Sequence, residues 1–224
     1  PIFHGFWLGL ALSGGYLVQL IGLQHTTATA SGFITGMFVV LVPLISGVIM
    51  RQRVPAAAWA SVVLATLGLG LIALNGVSVG YGEALTLLCA LMFALHIIGL
   101  DKWADPEYVY SLTTAQIFTV FVSSMAVSMV TGGVRTPTTR SLWISIAFLA
   151  VFATCIGYFA QPWVQSVLGA ARTAVIRTME PVFAGIAGVT FGDDALTARI
   201  IIGAALILAA TYLVELGPRH SAEG

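Results

Sequence analysis

Apolar residues run through this chain in long unbroken stretches, at 5–24, 27–50, 56–74, 81–100, 110–131, 142–166, 171–191 and 197–216. A hydrocarbon core of about 30 Å takes roughly 20 apolar residues as helix, so each stretch predicts one membrane-spanning α-helix. The breaks fall where helices must stop. Arg51-Gln52-Arg53 and Pro55 follow the second stretch, Asn75-Gly76 the third and Gly132-Gly133 the fifth. The runs are continuous rather than alternating, which excludes a transmembrane β-barrel. The expected fold is an all-α membrane protein, a polytopic helical bundle of about eight transmembrane helices joined by loops of a few residues.

Polar side chains are costly in lipid, so their angular position on each helix is informative. Thr154, Tyr158, Gln161 and Gln165 are spaced along one face of the sixth stretch. Thr173, Arg177 and Glu180 do the same in the seventh, Thr27, Ser31 and Thr35 in the second, and Ser13, Tyr16 and Gln19 in the first. The third and eighth stretches are nearly free of polar residues in their interiors. Four striped helices and two plain ones predict a polar interior path, with the plain helices at the periphery. For Ser and Thr alone, helix–helix packing is the commoner explanation, and Gly32 and Gly36 form a close-approach pattern of that kind. Three glutamines, an arginine and a glutamate ask for more.

Glu180 is the sharpest of these. Counted from residue 171 at 1.5 Å per residue, it lies about 13 Å deep, near the midplane. Pro181 follows it and lacks an N–H, which leaves the Arg177 carbonyl without its helical partner. Arg177, three residues before Glu180, is close enough to pair with it. The pair reads either as a buried register lock or as a midplane site for a solute or a coupling proton. His96, near the inner end of the fourth stretch, reads first as a packed histidine, because a lone imidazole has no chemistry without a positioned partner. His25 falls at the turn between the first two stretches and reads as interfacial.

Composition narrows the classes. Hydrophobic residues make up 58% of the 224 and charged residues 8%, too few charges to cover a soluble surface. The formal net charge is zero, so no nucleic-acid partner is implied. Cys89 and Cys155 sit inside apolar stretches, which argues against a structural disulfide, and no metal-ligand spacing exists. Phosphate loops, nucleophile elbows and zinc-binding His-Glu helices are absent from the sequence. Asp193 and Asp194 are adjacent at a helix end and cannot face each other as an intramembrane aspartyl pair. An enzyme and a cofactor are therefore not expected. The chain begins at Pro1 without a basic leader, which reads as the remainder of something longer.

The first three stretches resemble the last three. Tyr16-Leu17-Val18-Gln19 recurs as Tyr158-Phe159-Ala160-Gln161. A stretch with an internal proline follows in each copy, at Pro43 and Pro181, and then a plain stretch with small residues seven apart: Ser61 and Gly68 in one copy, Gly203 and Ala210 in the other. An odd number of spans separates equivalent helices, so the repeat is inverted, an architecture of many secondary transporters.

Certain segments resemble the drug/metabolite transporter superfamily, EamA-type. Residues 22–28 (Gly-Leu-Gln-His-Thr-Thr-Ala), 32–36 (Gly-Phe-Ile-Thr-Gly) and 40–43 (Val-Leu-Val-Pro) resemble that family's third and fourth helices. Residues 172–183, with Met179-Glu180-Pro181-Val182-Phe183, and 203–208 resemble its ninth and tenth. The resemblance implies ten helices in two inverted halves, cytoplasmic termini, and export of small metabolites or amino acids across a bacterial inner membrane. It starts at the family's third helix, so residues 1–75 correspond to three helices of the first repeat, 76–217 to the five of the second, and 218–224 to a cytoplasmic tail. The family's Gly-Glu pairs have no counterpart here, since Arg51 and Asp193 stand in place of the glutamates.

The expected function is secondary transport of a small solute, with a truncated or partner-dependent bundle lacking its own transport activity as the alternative. Substrate-binding or coupling residues are expected at Glu180, Arg177, Gln161, Tyr158, Gln19, Tyr16, Thr35 and His96. The expected partners are the lipid bilayer and a small-molecule solute, with a homodimer as a further option. Orientation follows from the loops. With cytoplasmic termini, the inner side carries Arg51, Arg53, Lys102, Arg172 and Arg219, and the outer side Arg135, Arg140 and Arg199. In a background lacking Cys89 and Cys155, cysteines at Ser78 and Thr138 should be labelled by an impermeant reagent in intact cells, and a cysteine at Gln52 should not. Labelling of Gln52 alone would reverse the orientation.

Overall fold

The computed structural model describes residues 2–49, 56–75, 78–103, 105, 107–133, 136–161, 164, 179–191 and 195–216. Its helices are α1 (Ile2–Gly22), α2 (Ala28–Thr35), α3 (Phe38–Ile49), α4 (Ala56–Ala73), α5 (Tyr81–Trp103), α6 (Val109–Val130), α7 (Arg140–Phe148), α8 (Met179–Phe191) and α9 (Ala198–Leu216). α7 passes directly into a π-helical segment, Leu149–Ile156, and remains helical to Gln161. Between α4 and α5, Leu74–Asn75 (β1) pairs antiparallel with Ser78–Val79 (β2). That short ladder is the one β feature among the described residues.

Five spans among the described residues are long and apolar enough to cross a bilayer: Ile2–Gly22, Ala28–Gly47, Tyr81–Trp103, Val109–Val130 and Arg140–Gln161. Three shorter apolar helices, Trp59–Ile72, Glu180–Phe191 and Ala198–Leu213, complete the series. The protein is thus an all-α polytopic membrane bundle. The second stretch is not one helix. From Met37 to Val40 the backbone bonds tighten, with Met37 N–H donating to Ile34 O (3.1 Å), Val39 to Gly36 O (3.2 Å) and Val40 to Met37 O (3.0 Å). The interruption lies at Gly36-Met37, while α3 runs on through Pro43.

The chain forms two compact units. One comprises Pro1–Ser13 with Gly99–Thr173. In it the first half of α1 lies along α6, with Gly5 against Ala115 and Gly9 against Gln116 and Thr119. Leu8, Leu100 and Leu112 form a buried cluster closed by Trp103, and His4 stacks on Trp103 with ring centroids 4.7 Å apart. Ser13 Oγ lies 2.7 Å from Ser123 Oγ, a hydrogen bond between α1 and α6. Residues 140–153 of the α7 span are exposed throughout.

The other unit comprises Gly14–Ile98 with Ala174–Gly224. It is built on two antiparallel helix pairs. α4 packs on α9 so closely that a Cβ on Gly68 would lie 2.6 Å from Gly203 O, and one on Gly203 would lie 2.7 Å from Gly68 O. Ala65, Ile207 and Ala210 are fully enclosed along the same seam. α2 packs on α8 through Gly32 against Ala184 and Gly36 against Pro181. Each pair joins helices that the sequence repeat matches, and each runs antiparallel, as an inverted repeat requires. The plain helices are therefore not merely peripheral. Trp59, Val63 and Leu67 of α4 face outward, but its other face packs closely on α9 through Gly68 and Gly203. Lipid-embedded helices associate through close backbone approach, which polarity does not report.

Larger side chains should prise that seam open. Gly68→Leu and Gly203→Leu should each lower stability in detergent by about 1–3 kcal/mol, the usual cost of overpacking. The double variant should lose less than the sum, since both residues obstruct one contact. Gly157→Ala, where the nearest atom would be 3.7 Å away, should melt like the parent.

Candidate functional site

The site begins where α1 turns into α2. Thr27 caps α2, its side chain accepting from Ala30 N–H at 3.1 Å, so its hydroxyl serves the helix end. Beneath this turn sits the start of α5. A Cβ on Gly82 would lie 2.7–2.9 Å from backbone atoms of His25 and Gly22, so only glycine lets the two backbones meet. That contact brings Glu83 under the turn, where Thr26 Oγ1 donates to Glu83 Oε1 at 2.7 Å and the residue is 8% exposed. His25 packs edge-on against Tyr81 alongside.

From Glu83 a buried stripe runs along α5 through Thr86, Cys89 and His96. α1 lies antiparallel to it, with Gly22 against Thr86 and Gly15 against Phe93. At the level of Cys89 the sequence-predicted residues meet. Gln19 Nε2 donates to Thr35 Oγ1 at 3.1 Å, and the buried Cys89 lies near the Thr35 side chain. Tyr16 stands edge-on to Phe93 close by, with centroids 5.4 Å apart.

Thr35 is the last residue of α2, immediately before the interruption at Gly36-Met37. Pro181 packs into that interruption, its Cγ 3.1 Å from where a Cβ on Gly36 would stand. The Glu180-Pro181 step thereby comes to the break in the neighbouring helix. Glu180 itself is in the first turn of α8 and exposed at the surface of this chain. Arg177, Gln165 and Thr173 lie outside the described residues.

The structure thus brings Gln19, Thr35 and Tyr16 together in one unit, with His96 buried farther along α5 and Glu180 beside the break. Tyr158 and Gln161 belong to the other unit. They lie after the π-helical segment and are half-buried, whereas Phe152, Cys155, Ile156 and Phe159 are exposed. Thr154, Gly157 and Ala160 are half-buried as well, so the polar residues share the less exposed positions with small ones. An open apolar cavity of about 420 Å³ lies between α2, α8 and α9, walled by Phe33, Gly185, Ile186, Ala204 and Leu208. It contains none of the predicted site residues.

Sequence reasoning passed over Glu83 and Cys89. Glu83 stands at the beginning of an apolar stretch, where a carboxylate reads as a favourable charge at a helix N-terminus. The available signal was Gly80-Tyr81-Gly82, whose small residues mark close approach. Cys89 carried no signal, because a buried cysteine behaves as a small hydrophobe.

Residues 80–216 match the model of the EamA-like transporter family. The chain is 33% identical over 213 residues to an uncharacterized transporter of Archaeoglobus fulgidus, covering 95% of this chain and 68% of that protein. A solved crystal structure of a protein superposes with a TM-score of 0.64 at 17% identity, over 96% of this chain and 75% of that one. The last likeness concerns the fold alone.

The Thr26–Glu83 bond pins the α1–α2 turn to α5. Thr26→Val and Glu83→Ala should each cost about 1–3 kcal/mol in detergent unfolding, the range for losing a buried hydrogen bond. The double variant should cost little more than either. Additive losses would show that the two groups act apart.

Proposed function

The chain belongs to the EamA-like transporter family, and on that premise we propose that it exports a small polar metabolite or amino-acid-like solute across the cytoplasmic (in bacteria, inner) membrane. The observation that carries this reading is the interrupted α2–α3 helix, with the Gln19–Thr35 pair at its edge and Pro181 seated in the break. Helices interrupted within the membrane free backbone groups and line solute sites in secondary transporters. In this proposal Gln19, Thr35 and Tyr16 line one stretch of the path, and Tyr158 and Gln161 line another. His96 borders the path along α5. Glu180, with Arg177, takes a cationic group or the coupling proton. The sequence carries no nucleotide-binding motif, so an ion gradient or the solute's own gradient drives transport. No catalysis is assigned.

A second reading has one observation in its favour. Residues 140–153 are exposed on every side although they include Arg140, Ser141 and Ser145. A bundle that needs further helices against this span before it transports would explain that exposure. Uptake and melting compared with and without two added N-terminal spans separate the two readings.

Glu180→Gln keeps the shape and removes the charge. It should abolish or uncouple transport by reconstituted protein while expression and melting stay near those of the parent. The double change Glu180→Gln with Arg177→Met should remain inactive. Recovery of both folding and transport in the double variant would reduce Glu180 to half of a packing pair.

A further inference from the structure

Hydroxyl groups in membrane helices usually satisfy themselves by bonding back to the carbonyl four residues earlier. This protein does so repeatedly. Ser61 donates to Ala57 O, Thr86 to Gly82 O, Thr119 to Ala115 O and Thr211 to Ile207 O, all at 2.8 Å. Ser31 is different. It is 2% exposed, yet its Oγ makes no hydrogen bond, although the Thr27 carbonyl one turn back is in place and receives the Ser31 N–H at 2.9 Å. A buried hydroxyl without a partner costs stability, because its hydration is lost and nothing replaces it. A group of that kind in a native fold calls for an explanation, and a functional role is one.

The position of Ser31 indicates which ligand. Four residues before Thr35, it shares the helix face on which Thr35 meets Gln19 and Cys89. Ala30 and Ile34, to either side of Ser31 in sequence, pack against Leu69 and Ile72 of α4 and against Leu87 of α5. Gln19, Ser31, Thr35 and Cys89 are all uncharged, and together they offer donors and acceptors. Glu83, the buried carboxyl of the same unit, is engaged by Thr26. A full charge brought against this face would find no described counter-charge there, whereas an amide, an alcohol or a neutral carbonyl would complete its hydrogen bonding.

We propose that Ser31 is a solute-binding hydroxyl, one helical turn before the Gln19–Thr35 pair, and that it takes an uncharged hydrogen-bonding group of the transported molecule. This rests on the reading of the chain as a transporter whose path includes Gln19 and Thr35. It adds the contact and the chemical class of the group bound.

Thiol chemistry tests this without knowledge of the solute. In full-length protein lacking Cys89 and Cys155, single cysteines replace Gln19, Ala30, Ser31 and Ile34, and each variant meets methyl methanethiosulfonate, which is small and neutral. Ser31→Cys should react at least tenfold faster than Ala30→Cys and Ile34→Cys. Anionic and cationic methanethiosulfonates of similar size should react with it at least tenfold more slowly than the neutral reagent does. Ser31→Ala should melt no lower than the parent, since it removes an unsatisfied group. Reaction at Ser31→Cys no faster than at Ala30→Cys overturns the inference, whatever Gln19→Cys does, and so does a marked fall in melting temperature for Ser31→Ala. Fast neutral labelling at Ser31→Cys with none at Gln19→Cys upholds Ser31 and removes Gln19 from the path.

Discussion

Lipid tails are as apolar as the helices they surround, so apolar helices gain nothing from one another merely by being apolar. What holds them is how near their backbones come, and side-chain size decides that. In this protein the decisive approach is made by Gly68 and Gly203, each lying against the other's carbonyl where α4 crosses α9. A second approach, Gly32 to Ala184, joins α2 to α8. The second contact sets Pro181 against Gly36, and the interruption at Gly36-Met37 leaves Thr35 at a helix end within reach of Gln19. The polar geometry of the site is thus downstream of packing by residues that have almost no side chain.

Hydropathy alone was enough to place the spans, because the bilayer imposes one length on every helix and that length is written as a continuous apolar run. The interruption in the second span was not legible in that way. Residues 33–41 read Phe-Ile-Thr-Gly-Met-Phe-Val-Val-Leu, apolar on both sides of the break. Pro43 drew attention to itself, yet α3 passes through it and the change of hydrogen bonding comes earlier, at a glycine. The plain third and eighth stretches misled for a related reason. Absence of polar residues reads as a sign of the periphery, but the seven-residue spacing of Gly68 and Gly203 with their small partners carries the packing information.

The site was partly legible. Gln19 and Thr35 stood on separate polar stripes, and side-chain amides and hydroxyls inside a membrane seek each other. Nothing in one-dimensional spacing could say that they would pair with each other rather than with Tyr158 or Gln161. That depends on α1 lying antiparallel to α5 with α2 folded back beside it, a consequence of the turn at His25-Thr26 and its docking on Gly82. Glu83 was hidden by position, since a charge at a helix start has an ordinary explanation until the half-buried Thr26 is found donating to it.

The π-helical segment Leu149–Ile156 gives the α7 span a property that an ordinary helix lacks. A π turn closes its hydrogen bond one residue later than an α turn and so holds a surplus residue. The surplus sets the residues beyond it at a different angle around the helix axis from the one an unbroken α-helix would give them. The direction in which Tyr158 and Gln161 face therefore follows from the wide segment before them as well as from their spacing in the sequence.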